Sequence, residues 1–186
     1  MEHQVRQVPK PPYTDLVMKY VTSADSILDV GCGEGYIATV LQRKFPKAKV
    51  VGCDLSLESL IVASHISKLN DAPAQFDYCD IAGAVPYTDK SFDTVISTAT
   101  LMMMPERDAL NAFNNMKRLA KKQIILAELH IPNFGEKETN YNGVFGRYGR
   151  DYRKFLFGLN ITNIEPIVGW PGSTYVIDGS VINIIL

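Results

Sequence analysis

Short runs rich in β-branched residues alternate along this chain with longer stretches whose apolar positions recur every three or four residues. Residues 26–30, Ser-Ile-Leu-Asp-Val, predict a first strand that stops at glycines. Tyr36, Ile37, Val40, Leu41 and Phe45 then fall at helical spacing. Residues 49–54 predict a second strand, and Ser56 supplies an N-cap for a helix carrying Leu60, Ile61 and Leu69. A third strand is expected over 76–80 and a fourth over 92–97. The next helix has Ala109, Leu110, Phe113, Met116 and Ala120 on one side, and a fifth strand runs over 123–129. A polar, glycine-containing stretch follows, then a helix over 152–159. Two closing strands over 164–170 and 181–186 are joined through Pro171-Gly172 and Asp178-Gly179.

Strand and helix in alternation predict βαβ units, hence an α/β three-layer sandwich with a mostly parallel sheet covered on both faces. The last two strands have no helix between them, which predicts an antiparallel C-terminal hairpin at one edge. The 186 residues fit one domain. Within it, 1–25 form an N-terminal segment and helix, and 130–150 form a candidate substrate lid, longer than an ordinary loop. Open sheets of this type bind ligands at the carboxyl ends of their strands, so the chemistry is expected in the loops after each strand.

Three of those loops carry acids. The first reads Asp29-Val30-Gly31-Cys32-Gly33-Glu34-Gly35. Its alternate glycines permit a sharp turn and close backbone approach to a ligand, at the positive end of the following helix. Asp29 beside it would repel a diphosphate but suits an ammonium group; a plain capping role is the alternative. Asp54 ends the second strand, 23 residues after Gly31, where an acid accepts from ribose hydroxyls or caps the next helix. Asp80-Ile81 follows the third strand. There a carboxylate can accept from an exocyclic amine and an aliphatic side chain can cover an adenine. Together the three describe a ligand with an ammonium end, a ribose and an adenine.

The segments ILDVGCGEG, VVGCDLS, DYCDI and SFDTVISTATL resemble the ordered motifs of class I S-adenosylmethionine-dependent methyltransferases of the small-molecule type. The resemblance runs from about 26 to 128 and implies a Rossmann-like seven-stranded sheet whose last strand is antiparallel. It implies S-adenosyl-L-methionine as cofactor. Asp29, Gly31, Cys32, Gly33 and Gly35 would hold the methionine portion, Asp54 and Leu55 the ribose side, and Asp80 with Ile81 the adenine. Ser97 and the residues just after it would lie beside the sulfonium. The chain departs from the family in three places. Ser97-Thr98-Ala99-Thr100 replaces the NPPY or DPPY signature of amino-nitrogen methyltransferases. Met102-Met103-Met104 stands where a histidine is common, and Lys121-Lys122-Gln123 where a glycine usually precedes the fifth strand.

His130 is the candidate general base, because it directly follows the fifth strand and titrates near neutral pH; closing a loop is its alternative role. Glu128 is a weaker candidate, His65 reads as structural, and His3 lies in the N-terminal segment. Met103, Tyr141, Arg147 and Tyr148 are candidate substrate contacts, offering apolar, aromatic and cationic surface. Tyr13 precedes the sheet and is placed to close over the cofactor.

The formal net charge of -1 gives no general pull toward nucleic acid or anionic lipid, which favours a small-molecule acceptor. The three cysteines, at 32, 53 and 79, show no CxxC and no export signal precedes them. They read as free thiols in a cytoplasmic protein with no metal and no membrane span. The expected activity is in-line methyl transfer to a small molecule. Methylation of a protein or RNA, and a non-catalytic cofactor-binding regulator, stand as alternatives. A nicotinamide dehydrogenase fits less well because Asp29 opposes a diphosphate.

Overall fold

In a computed structural model of the chain, the structure describes residues 8–131, 140–141, 147–167 and 179–186. Helix α1 (Thr14–Tyr20) leads into strand β1 (Ser26–Val30), followed by α2 (Tyr36–Lys44), β2 (Lys49–Asp54), α3 (Leu57–Leu69) and β3 (Gln75–Tyr78). Then come β4 (Phe92–Thr98), a 3-10 turn (Leu101–Met103), α4 (Glu106–Leu119) and β5 (Ala120–Leu129). A short ladder pairs β6 (Asn140–Tyr141) with β7 (Arg147–Tyr148). After it α5 (Tyr152–Phe155), β8 (Ile161–Pro166) and β9 (Gly179–Ile185) complete the element order.

One seven-stranded sheet has the order β3-β2-β1-β4-β5-β9-β8. The pairs from β3 across to β5 are parallel, and β9 runs antiparallel to both of its neighbours. The order reverses between β1 and β4, whose register aligns Val30 with Ser97. That reversal opens the crevice in which this architecture places ligands.

Alternation along each strand splits the core in two. Ile27, Val50, Ile96 and Ile125 face α1 and α2, while Leu28, Val51, Val95 and Ile124 face α4 and α5. Ser56 caps α3 as expected, its hydroxyl accepting from Ser59 N at 3.1 Å. The inward face of α3 differs from the expected one. Leu60, Ala63, Ile66 and Ser67 are buried, whereas Ile61 and Leu69 are exposed and His65 lies on the solvent side. Apolar residues surround this helix, so spacing alone did not choose a side.

Three boundaries also move. β5 starts at Ala120, directly at the C-cap of α4. α5 ends at Phe155, and β8 begins at Ile161 rather than 164, because its pairing with β9 starts there. Trp170 lies outside the described residues. Among the described residues no helix is long and apolar enough to cross a membrane.

Met116 is fully buried between α4 and the sheet. Met116→Ala is expected to cost about 2–5 kcal/mol of stability, read as a lower urea midpoint with unchanged slope.

Candidate active site at the strand ends

The glycine turn is built from three left-handed residues, Gly31, Gly33 and Gly35, with φ of 64°, 51° and 76°. Their surroundings differ. A Cβ on Gly31 would lie 2.2 Å from Thr100 Oγ1, so this glycine admits a threonine side chain from the loop after β4. A Cβ on Gly35 would meet Ala63 and Phe76 at 2.8 and 2.9 Å, so this glycine seats α2 against α3 and β3. Gly33 alone of the three has nothing within 4 Å of a Cβ position, and it is the one facing open space. Cys32 N donates to Cys53 O at 3.0 Å and fastens the turn to β2.

Asp29 is completely buried below this turn. Its Oδ2 accepts from Ala38 N at 3.1 Å in the first turn of α2, while its Oδ1 has no hydrogen-bond partner. Burial first, then the nearby Asp54 charge, push its pKa up to about 7, against the pull of the Ala38 N–H. One oxygen therefore caps a helix and the other is an orphan acceptor. Such groups are rare in folded proteins and call for a ligand or a cost.

Asp54 bridges two loops. Its Oδ2 accepts from Gly33 N at 2.8 Å and its Oδ1 from Ser56 N at 2.9 Å. Asp80 is exposed, with Oδ1 accepting from Ala82 N at 3.0 Å, and Ile81 beside it is buried. Leu55 is exposed next to Asp54. Asp29, Asp54 and Asp80 thus lie at the carboxyl ends of β1, β2 and β3, which adjoin in the sheet. The edge they form favours cations.

Ser97 is buried at the end of β4, its hydroxyl donating to Glu128 Oε1 at 2.9 Å. Tyr13 joins this end of the sheet. Its phenol bonds to the Thr98 side chain within the field of both Asp29 and Glu128, and burial first raises its pKa. It therefore stays protonated at neutral pH. Thr100 enters the sequence reading only within the Ser97–Thr100 run, and its packing on Gly31 is not foreseen there. No local signal marks that contact, because its partner Gly31 lies in the turn after another strand, β1.

The candidate base His130 is buried, with Nδ1 accepting from Tyr152 N at 3.1 Å. Burial foremost lowers its pKa, which leaves the imidazole neutral. Met103 is exposed on the 3-10 turn and Met102 is buried. The Tyr148 ring lies 5.5 Å below the Arg150 guanidinium. The side chains of Tyr141 and Arg147, and most of the candidate lid, lie outside the described residues. Among the described residues no three His, Cys, Asp or Glu side chains are grouped to hold a metal ion.

A family model described as a methyltransferase domain matches residues 21–153. The chain is 31% identical over 108 residues to a release factor glutamine methyltransferase of Bacteroides thetaiotaomicron, covering 56% of this chain and 39% of that one. It is 36% identical over 87 residues to a trans-aconitate 2-methyltransferase of Variovorax paradoxus, covering 47% and 32%. The chain spans less than half the length of these curated relatives. Among solved structures, magnesium protoporphyrin IX methyltransferase from Synechocystis with bound SAH superposes with a TM-score of 0.71 at 19% identity, over 92% of this chain and 81% of that one. With the family model spanning most of the chain and the glycine turn, acids and strand order all in place, the chain belongs to the class I S-adenosylmethionine-dependent methyltransferases.

Proposed function

We propose that the chain binds S-adenosylmethionine across the ends of β1 to β4 and transfers its methyl group to a small-molecule acceptor. The orphan Oδ1 of Asp29 carries the reading. A buried carboxylate oxygen without a donor is matched by an ammonium group, and the open side of Gly33 leaves room for the ligand backbone. Both oxygens of Asp54 hold one N–H each and keep lone pairs for ribose hydroxyls. Ile81 and Leu55 supply apolar cover near Asp80.

When bound, the cofactor supplies a methyl group already activated on a sulfonium. The chain's task is then to hold the acceptor in line and keep water out, which in aligned systems is worth about 7–11 kcal/mol. The buried Ser97 at the end of β4 and the half-buried Tyr13, bonded to Thr98, are suited to shaping that space. The surroundings of His130 favour anchoring α5 over proton transfer, since its Nδ1 is engaged by Tyr152 N. An acceptor that must lose a proton would then give it up to water or to a group of its own.

A small acceptor is favoured by the acidic strand ends, by the exposed Met103 and by the likeness to a methyltransferase of a small organic acid. Methylation of a protein is the second reading, which the likeness to a release factor methyltransferase raises. The Ser97-Thr98-Ala99-Thr100 sequence at the amide-methylating position weighs against it.

Three outcomes check this. Titration calorimetry should show heat with S-adenosylmethionine and with S-adenosylhomocysteine but none with NAD, and Asp29→Asn should weaken both ligands about tenfold or more. Affinity should also depend on pH. The ammonium pairs with ionised Asp29, so below a pKa of about 7 a proton must leave first. Affinity for the donor therefore rises as pH climbs toward about 7 and levels off above it. Asp29→Asn should flatten the profile. Finally, donor labelled in its methyl group and incubated with cell extract should pass label to the low-molecular-weight fraction. Label appearing only in protein or RNA would overturn the small-molecule assignment.

A further inference from the structure

We infer that Glu128 and Arg150 are positioning residues that grip the turn after β4 from its two ends and, through Thr100, set the shape of the glycine turn that holds the donor. The inference rests on the donor-binding reading and adds to it two groups that lie outside the cradle.

The grip is visible in the hydrogen bonds. Three consecutive backbone N–H groups, of Thr100, Leu101 and Met102, converge on the Glu128 carboxylate at 3.1, 3.1 and 3.0 Å. Ser97 adds a fourth donor. Successive N–H groups curled in this way form a nest for an anion, and here the chain supplies the anion itself. At the other end, the buried Arg150 donates to Leu101 O at 2.9 Å and to Met104 O. An anion on the N–H end and a cation on the carbonyl end oppose the dipole of the turn at both poles. Each group is anchored on or beside β5. Glu128 lies within the strand, and Arg150 is tied to its end by Arg150 N to Leu129 O and Ile131 N to Arg150 O.

The held turn then reaches the cradle. Ala99, just before it, has φ of 57°, a left-handed value that a non-glycine residue keeps only where its surroundings impose it. Ala99 N is pinned to Ala127 O at 2.8 Å. The following Thr100 points its hydroxyl at Val30 O, 3.1 Å away, and fills the space where Gly31 lacks a Cβ. From Gly31 the chain continues to Gly33, whose N–H is held by Asp54. A run of direct contacts therefore links Glu128 to Thr100, to the glycine turn and to Asp54.

Gln in place of Glu128 is nearly isosteric but turns one oxygen into an N–H₂ donor facing backbone N–H groups, which breaks the nest. Thr100→Val keeps the shape and removes the hydroxyl. With S-adenosylhomocysteine as the calorimetric probe, each variant is expected to bind about tenfold more weakly. The double variant should bind little worse than the poorer single one, since both cut the same run of contacts. Met116→Ala, which lowers stability in the core of α4, should bind as the wild type does. That contrast separates positioning from general loss of stability. Should Glu128→Gln fail to fold, Arg150→Lys, which keeps the charge but not the two-pronged reach, joins Thr100→Val in the same test. The inference is overturned if the folded variants bind within about twofold of wild type, or if the two losses multiply in the double variant. If wild type itself fails to bind, or Asp29→Asn binds fully, the donor-binding reading has failed instead.

Discussion

The wedge of Thr100 over Gly31 joins the two halves of the sheet where its strand order reverses. β1 and β4 are neighbours along the sheet, but hydrogen bonds between strands do not fix the loops that leave them. Because Gly31 has no Cβ, a threonine from the β4 loop can lie against its backbone and bond to Val30 O. Loops from two crossovers thereby form one rigid surface. That surface holds the glycine turn between Asp29 and Asp54, the two acids proposed to meet the donor. Loss of this contact would leave the strands intact and the cradle without a fixed floor.

Electrostatics at this edge run against stability. Asp29 and Glu128 are both fully buried, and burial raises the pKa of each. The two carboxylates meet this cost differently. Glu128 collects donors on both of its oxygens and is satisfied within the fold. Asp29 receives one N–H and keeps an oxygen without a partner. Buried groups with unmet hydrogen bonds persist where function needs them, because a better-satisfied core residue would be more stable. The two buried acids thus differ: the fold's own donors satisfy Glu128, whereas Asp29 keeps the oxygen proposed to meet the donor's ammonium group. Both oxygens of Glu128, the weaker candidate base, are taken by these donors.

Much of the architecture was legible in the chain. The alternation of strand and helical spacing implies the parallel sheet, and the glycine turn with its preceding acid points to the cofactor class. Local signals carried these, since a strand's burial and a turn's glycines are written in adjacent residues. What the sequence hid was non-local. Gly31 looked like a site of ligand approach, yet its close neighbour is Thr100, 69 positions along the chain. Arg150 ends the stretch expected as a substrate lid, and its side chain serves the turn after β4. The inward face of α3 could not be read because Ile61 and Leu69 are as apolar as Leu60 and Ile66. In each case the deciding partner comes from a distant segment, and periodicity carries no information about it.

The same reasoning explains why donor and acceptor differ so much in how readily they are inferred. The donor must meet one fixed set of groups, and the ends of β1 to β3 present in chain order the glycines and acids proposed to meet it. The acceptor varies within the family. The relatives named above act on a protein glutamine and on trans-aconitate, and the family match runs only over residues 21–153. A sulfonium methyl needs little chemical help, so selection on the acceptor side acts on shape and polarity rather than on a fixed catalytic group. Shape is encoded in side chains drawn from several loops and leaves no compact motif. The Glu128–Arg150 grip belongs to the framework on the donor side. It is built at the end of β5, and it holds the turn after β4 whose Thr100 packs on the glycine turn.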